Sequence, residues 1–285
     1  MTHAQPIPSP PDLRAHVIED HDLEEIFAYI NPTMLYGKHL GLKGNLDTLL
    51  EQQDDKAVAL HAQVRGLQDR VVAKNLMRAK AVYKFFPAQS EGNTLLVYNA
   101  AGSQVVETFA FPRQLHGQGL CLSDFVAPRA GGRMDYIALF ALTCGDGIRE
   151  LSEGYKQAGQ YFASHAVQAL AIESAEGFAE LLHRRLRAMW GFADPADLSM
   201  RDRFKARYRG VRVSFGYPAC PRLEDQHILF RLLPADRIGL QLTEGCMMEP
   251  EASVSALVFH HPQARYFSIL EDELNAFEQR LSAAD

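Results

Sequence analysis

AVYKFFPAQSEGNTLLVYNAAGSQVVETFAF, residues 81–111, alternates three runs rich in apolar, β-branched and aromatic residues (81–86, 94–98 and 105–111) with two turn clusters, Glu91-Gly-Asn93 and Asn99-Ala-Ala-Gly-Ser103. Short runs joined by tight turns predict an antiparallel meander, because parallel pairing needs crossovers of about a dozen residues or more. Residues 134–143, rich in apolar and aromatic side chains, predict a further strand buried on both faces, preceded by a loop at 124–133.

Upstream of the meander, Leu46, Leu49, Leu50, Val58, Leu60, Val64, Leu67, Val71 and Met77 recur mostly at helical spacing and predict one long amphipathic helix over 45–80. Downstream, 148–190 reads as helical, broken near Gly154 or Gly159 and stopped at Trp190-Gly191. Beyond it the pattern predicts a short helix at 223–233 and strands at 238–242, 253–260 and 265–269, the last entered through the turn His261-Pro-Gln-Ala264. The expected class is α+β: a single domain over 13–285 with a mainly antiparallel sheet, a long N-terminal helix and a central helical block. A flexible Pro-rich tail is expected at 1–12.

Of 285 residues 47% are apolar and 22% charged, ordinary globular usage that points to neither disorder nor a membrane protein. A formal charge of -6 carries no electrostatic footprint for nucleic acid. No apolar run approaches the roughly 20 residues that span a bilayer. The opening residues lack the apolar core and basic leader of a secretory signal. Cys121, Cys144, Cys220 and Cys246 are too scattered for a disulfide framework, which suits a reducing compartment. The cytoplasm is the expected location. Neither a repeat nor a Gly-rich phosphate loop is present in the sequence.

The chemistry concentrates in Arg212-Val-Ser-Phe-Gly-Tyr217-Pro-Ala-Cys-Pro221. Two prolines restrict the backbone and Gly216 permits a turn or a close approach, so a guanidinium and a phenol are held at a fixed spacing. The guanidinium fork matches a carboxylate or phosphate; a structural Arg in a rigid loop reads equally well from the pattern alone. Asp20, His21, Asp22, Glu24 and Glu25 precede Phe27 and Tyr29, the pattern of a helix start with acids at its N-terminus. Paired with Arg212, Asp22 would complete a zwitterion site, taking an ammonium where Arg212 takes a carboxylate.

Other motifs read as structural. Glu180 with His183 and Glu224 with His227 each share a helical face, but a di-metal site of that type needs an all-α bundle, which the strand runs contradict. His260 and His261, vicinal on a strand, point to opposite faces. Cys220 lacks a neighbouring base and reads as a buried thiol. The basic run Arg201, Arg203, Lys205, Arg207, Arg209 reads as a solvated face, with docking of an acidic protein the lesser alternative.

The 212–221 segment resembles the S-adenosylmethionine loop of the activation domain of cobalamin-dependent methionine synthase. Five further blocks resemble that family in order and spacing: Cys121-Leu-Ser-Asp-Phe-Val-Ala-Pro128, Ala175-Glu-Gly-Phe-Ala-Glu-Leu-Leu-His183, Leu242-Thr-Glu244, Pro250-Glu-Ala-Ser-Val-Ser255 and His261-Pro-Gln-Ala-Arg-Tyr-Phe267. The resemblance implies a helmet-shaped fold with a twisted antiparallel sheet. It implies as well that the chain positions S-adenosylmethionine as methyl donor while an electron from a flavodoxin- or ferredoxin-type protein lets cob(II)alamin return to methylcobalamin. Carried onto this chain, it assigns Arg212 to the methionyl carboxylate and Asp22 to the amino group, with Asp20 as the alternative register. Tyr266 and Phe267 fall to the nucleoside, Tyr217 to the vicinity of the reacting centre, and Glu176 to the site wall. The Asp-x-His-x-x-Gly motif of the family's cobalamin domain is not in this sequence, so the cobalamin is expected on a separate binding subunit. The expectation is therefore a reactivation subunit of a split methionine synthase. The alternative is a regulatory module that binds S-adenosylmethionine, or docks a corrinoid protein, without methyl transfer.

Overall fold

The computed structural model describes residues 6–282. Strand β1 (His16–His21) leads into helices α1 (Leu23–Phe27), α2 (Leu46–Glu51) and α3 (Asp55–Ala73). Strands β2 (Ala79–Glu91), β3 (Thr94–Tyr98), β4 (Val105–Ala110) and β5 (Asp135–Thr143) follow, then helices α4 (Ile148–Gln157), α5 (Tyr161–Met189) and α6 (Met200–Arg203). The chain closes with β6 (Val211–Val213), α7 (Gln226–Leu232), the hairpin β7 (Gln241–Leu242) and β8 (Met248–Glu249), β9 (Ser253–Phe259) and α8 (Glu271–Ser282).

The predicted meander is β2-β3-β4, and it forms one flank of a seven-stranded sheet ordered β4-β3-β2-β5-β9-β6, in which every ladder is antiparallel. β2 is long enough to carry β3 at its far end and β1 at its near end, while β5 runs along its other side. Side chains alternate across these strands, and both faces are buried. Ala81, Phe85, Phe140, Leu142, Val254 and Val258 pack with α3 and α5 into the larger apolar cluster. Val82, Phe86, Ile137, Leu139, Leu257 and Phe259 face the opposite way, onto Phe109, Phe125, Phe215 and Leu229. The centre of the sheet is thus sandwiched between helices and a layer of loops and short helices.

Departures from the sequence reading have local causes. The single helix expected over 45–80 is two, because Asp54 takes the amide of Ala57 and starts a new helix after Gln53, whose φ is 56°. The helical stretch also ends earlier than expected, since Ala79 and Lys80 already pair in β2. The central block does break, at Gly159 with φ 74°, and Gly154 stays inside α4. Residues 265–269 run without a ladder: the Tyr266 hydroxyl and the Ser268 carbonyl are satisfied by side-chain bonds, to the Arg212 carbonyl and from Gln114. The strand expected at 238–242 shrinks to β7, preceded by a 3₁₀ turn over Ala235–Ile238. Of the tail expected at 1–12, residues 1–5 lie outside the described residues, whereas the Pro8 carbonyl accepts the Trp190 indole N–H at 3.0 Å and docks that stretch on the core.

Candidate functional site

α5 buries Leu170, Phe178, Leu181 and Leu182 in the core, yet along one stripe it carries Glu173, Glu176, Glu180, His183 and Arg187. Intervals of three and four residues stack these side chains on one helix face. Along the stripe only Glu176 reaches water, its side chain 52% exposed; Glu173 is buried on one side of it, and on the other Glu180 is 7% exposed and His183 and Arg187 are fully buried.

Arg212 meets this stripe because of strand alternation. On β6, the outermost strand, Val211 and Val213 enter the loop-side cluster, so Arg212 between them points to the helical side. Its Nη1 donates to Glu180 Oε2 at 2.5 Å, and its Nη2 lies 3.9 Å from Glu176. Burial works against its charge, but Glu180, Tyr208 and Tyr266 outweigh that and raise its pKa further. With Nη1 committed to Glu180, the rest of the guanidinium fork remains for a second carboxylate.

The stripe continues inward as alternating charge. Glu180 Oε2 also accepts the Tyr208 hydroxyl at 3.3 Å, and Oε1 lies 3.9 Å from Arg187. Arg187 donates to both Asp194 oxygens at 2.6 and 2.7 Å, with its guanidinium 3.8 Å from the centre of the Tyr208 ring. Burial alone would raise the Asp194 carboxyl; Arg187 and Arg203 outweigh it and hold the pKa below its ordinary value. His183 stands edge-on to Tyr208, and burial, reinforced by Arg187 and Arg212, keeps its ring neutral.

Above Arg212 the chain turns back on itself. Gly216, with φ 88°, donates to the Cys220 carbonyl at 2.8 Å, and Cys220 donates to the Tyr217 carbonyl at 2.8 Å. This closed loop leaves Tyr217 60% exposed, and Tyr266, 54% exposed, is tied to the Arg212 carbonyl at 2.8 Å. Both rings stand at a cleft of about 410 Å³ whose walls include Glu173, Glu176, Glu180 and Arg212. Opposite them, the segment after α1 brings Tyr29 and Asn31 to the cleft. Gly177 permits that approach, since a Cβ there would sit 3.1 Å from the Ile26 carbonyl and 3.2 Å from the Ile30 amide nitrogen. His39 closes the far side, its Nε2 2.9 Å from the buried Glu173. Burial pushes the Glu173 pKa up and repulsion by Glu176 adds to it, while His39 pulls the other way.

Glu176, Arg212, Tyr217 and Tyr266, singled out in the sequence, therefore converge on one cleft. Asp22 does not: its carboxylate caps α1 by accepting the Glu24 amide at 2.9 Å, and it is not part of the cleft wall. Asp20, exposed on β1, is absent from that wall too. Phe267 is not on that wall either: it packs against the loop-side apolar cluster, its ring centre 6.2 Å from that of Phe125. Sequence reasoning missed Asn31, Glu173, His39 and Tyr208. For Glu173 the available signal was its helical spacing from Glu176 and Glu180 on α5; Asn31, His39 and Tyr208 lie on other segments and carried no such signal.

The remaining motifs resolve elsewhere. Arg203, Arg207 and Arg209 of the basic run bind Asp194, Asp202 and the His260 carbonyl, so much of that charge is answered internally. His260 pairs with Asp135 at 2.6 Å, and Cys220 is buried, its thiol pKa raised by that burial and by Asp225. No group of three or more His, Cys, Asp or Glu able to hold a metal occurs among the described residues. No helix among them is long and apolar enough to cross a membrane.

A cleft presenting one guanidinium edge, several carboxylates and two open aromatic rings suits a ligand that carries a carboxylate, positive charge and a flat apolar group. The family of the vitamin B12 dependent methionine synthase activation domain matches residues 22–281. Methionine synthase of Mycobacterium tuberculosis (strain ATCC 25618 / H37Rv) is 30% identical over 289 residues, taking in 92% of this chain and 23% of that protein, so the chain spans about a quarter of that relative's length. A crystal structure of the MetH reactivation domain bound to AdoHcy is similar with a TM-score of 0.89 and 29% identity, covering 98% of this chain and 89% of that one.

Proposed function

Because this chain belongs to the vitamin B12 dependent methionine synthase activation domain family, we propose that its cleft binds S-adenosylmethionine and presents the methyl group for reductive methylation of a cobalamin carried by a partner. The observation that carries this reading is Arg212, one edge held by Glu180 and the rest open to a cleft walled by acids and tyrosines. The similar solved domain is bound to AdoHcy, the demethylated form of the same ligand.

The residues fit such a ligand. The free part of the Arg212 fork takes the methionyl carboxylate, and Glu176 supplies acceptors for the ammonium, joined by the lone pair that the Asn31 amide oxygen keeps after accepting the Thr33 amide at 3.0 Å. Tyr217 and Tyr266 offer faces for the adenine and for the sulfonium charge, a cation–π contact worth about 0.5 to 2 kcal/mol. A corrinoid, when presented by the partner, supplies the methyl acceptor, and a flavodoxin- or ferredoxin-type donor supplies the electron. A sulfonium methyl is already activated, so the residues here need no general base. Their contribution is alignment, which removes several kcal/mol or more of a bimolecular barrier.

The test mixes the chain with a cobalamin-bearing methionine synthase subunit, a reductant and methyl-labelled S-adenosylmethionine. Label on cobalamin, dependent on this chain, is the expected result. Ligand binding without label would leave a regulatory binding module; no binding would remove the reading altogether.

A further inference from the structure

We infer that Glu180 sets the preference of the cleft for the methyl donor over its demethylated product, an inference that rests on the S-adenosylmethionine reading above. The two ligands share carboxylate, ammonium and nucleoside, and differ by a methyl group and one positive charge at sulfur. What separates them electrostatically is the fixed charge around the cleft.

In and behind the cleft wall, Glu173, Glu176, Glu180 and Asp194 stand against Arg187, Arg203 and Arg212, with His39 on Glu173. Asp194 answers Arg187 and Arg203 from behind with one carboxylate between them, and Glu180 answers Arg212, while on the cleft wall itself Glu173, Glu176 and Glu180 stand against Arg203 and Arg212. A ligand in the cleft therefore meets a partly neutralised Arg212 and an acidic wall. Among the acids Glu180 has the strongest claim to this role. Glu176 is half exposed, and water and salt screen its charge. Glu173 is paired with His39, and burial pushes its pKa up, which weakens its claim to a standing negative charge. Glu180 is 7% exposed and fixed in place by Arg212 and Tyr208, so its field reaches the cleft through protein rather than water. The carboxylate that orients the anion grip thereby also favours the cationic ligand.

Titration calorimetry on the intact chain measures the ratio of dissociation constants, S-adenosylhomocysteine over S-adenosylmethionine. In Glu180→Gln that ratio falls about ten-fold, the scale of one unit charge acting over about 10 Å at an effective dielectric of about 25. Any loss of carboxylate grip weakens both ligands and cancels. Tyr208→Phe keeps the charge and drops only a hydrogen bond, so it weakens both ligands and leaves the ratio within about two-fold. An unchanged ratio in Glu180→Gln, with both ligands still bound, overturns the inference and leaves the proposed function standing. Failure of both ligands to bind the unaltered chain overturns the proposed function itself. Should Glu180→Gln not fold, Glu173→Gln and Glu176→Gln are titrated in its place. A ratio above one in the parent chain that stays within about two-fold in both variants upholds the inference, and a fall of about ten-fold in either overturns it.

Discussion

Arg212→Ala separates the two roles this residue fills. In the folded protein its side chain is 16% exposed and its Nη1 sits 2.5 Å from Glu180, whose own side chain is 7% exposed. Removing one partner of a fully buried pair costs about 3 to 5 kcal/mol. Here the Tyr208 hydroxyl stays on Glu180 and the pair is not wholly dry, so the expected loss of stability is about 2 to 3 kcal/mol. The loss in ligand affinity is separate: a carboxylate deprived of a guanidinium partner in a half-buried site costs about 2 to 4 kcal/mol, or roughly 30-fold to 800-fold in dissociation constant. Urea unfolding and calorimetry with S-adenosylmethionine measure the two effects. The double variant Arg212→Ala/Glu180→Gln tells them apart, since removing the stranded charge restores about 1 to 2 kcal/mol of stability but none of the affinity. The reasoning is refuted if Arg212→Ala binds the ligand as well as the parent chain, or if Glu180→Gln recovers nothing on that background.

Three further outcomes are expected. Gly177→Ala places a methyl group 3.1 Å from the Ile26 carbonyl, so α1 and Asn31 must back away from α5; stability falls by about 1 to 3 kcal/mol and ligand binding weakens, by thermal melting and calorimetry. Asp194 has a folded-state pKa below its ordinary value, so its stabilisation is complete above about pH 4 and is lost as pH falls through that lower folded value. Urea midpoints of the parent chain and Asp194→Asn should therefore differ most near neutral pH and converge below about pH 4. Asp22→Ala removes only a helix cap, costing about 0.5 to 2 kcal/mol of stability with affinity unchanged, whereas Asn31→Ala lowers affinity in calorimetry.

The sheet was legible because its signals are local. Runs 94–98 and 105–111 with their turn clusters became β3 and β4 almost residue for residue, and Gly159 broke the helical block as its freedom at positive φ allows. Residues 265–269 misled because an apolar, aromatic run says nothing about whether a neighbouring strand is there to pair with. Among the residues singled out by motif blocks that resemble a family, Arg212, Tyr217, Glu176 and Tyr266 line one cleft. Asp22 lies off that wall, since an acid before a helix serves its own helix first. Asn31 was invisible for a different reason: its place depends on how closely α1 can lie on α5, which Gly177 decides from far along the chain. Glu180 was read with His183, its helical neighbour, yet its bond crosses to β6, a pairing that only the assembled sheet creates.

The cleft takes Tyr29, Asn31 and His39 from the N-terminal third, Glu173 to Glu180 from the middle, and Arg212, Tyr217 and Tyr266 from the C-terminal third. No fragment shorter than residues 29–266 contains it. A bound ligand thus acts as a non-covalent cross-link between distant parts of the polypeptide, binding the native chain and not the unfolded one. Saturation at a hundred times the dissociation constant would add about 2.7 kcal/mol to the unfolding free energy. Protease resistance would then report occupancy, and the abundance of the protein in a cell would follow the supply of the proposed ligand.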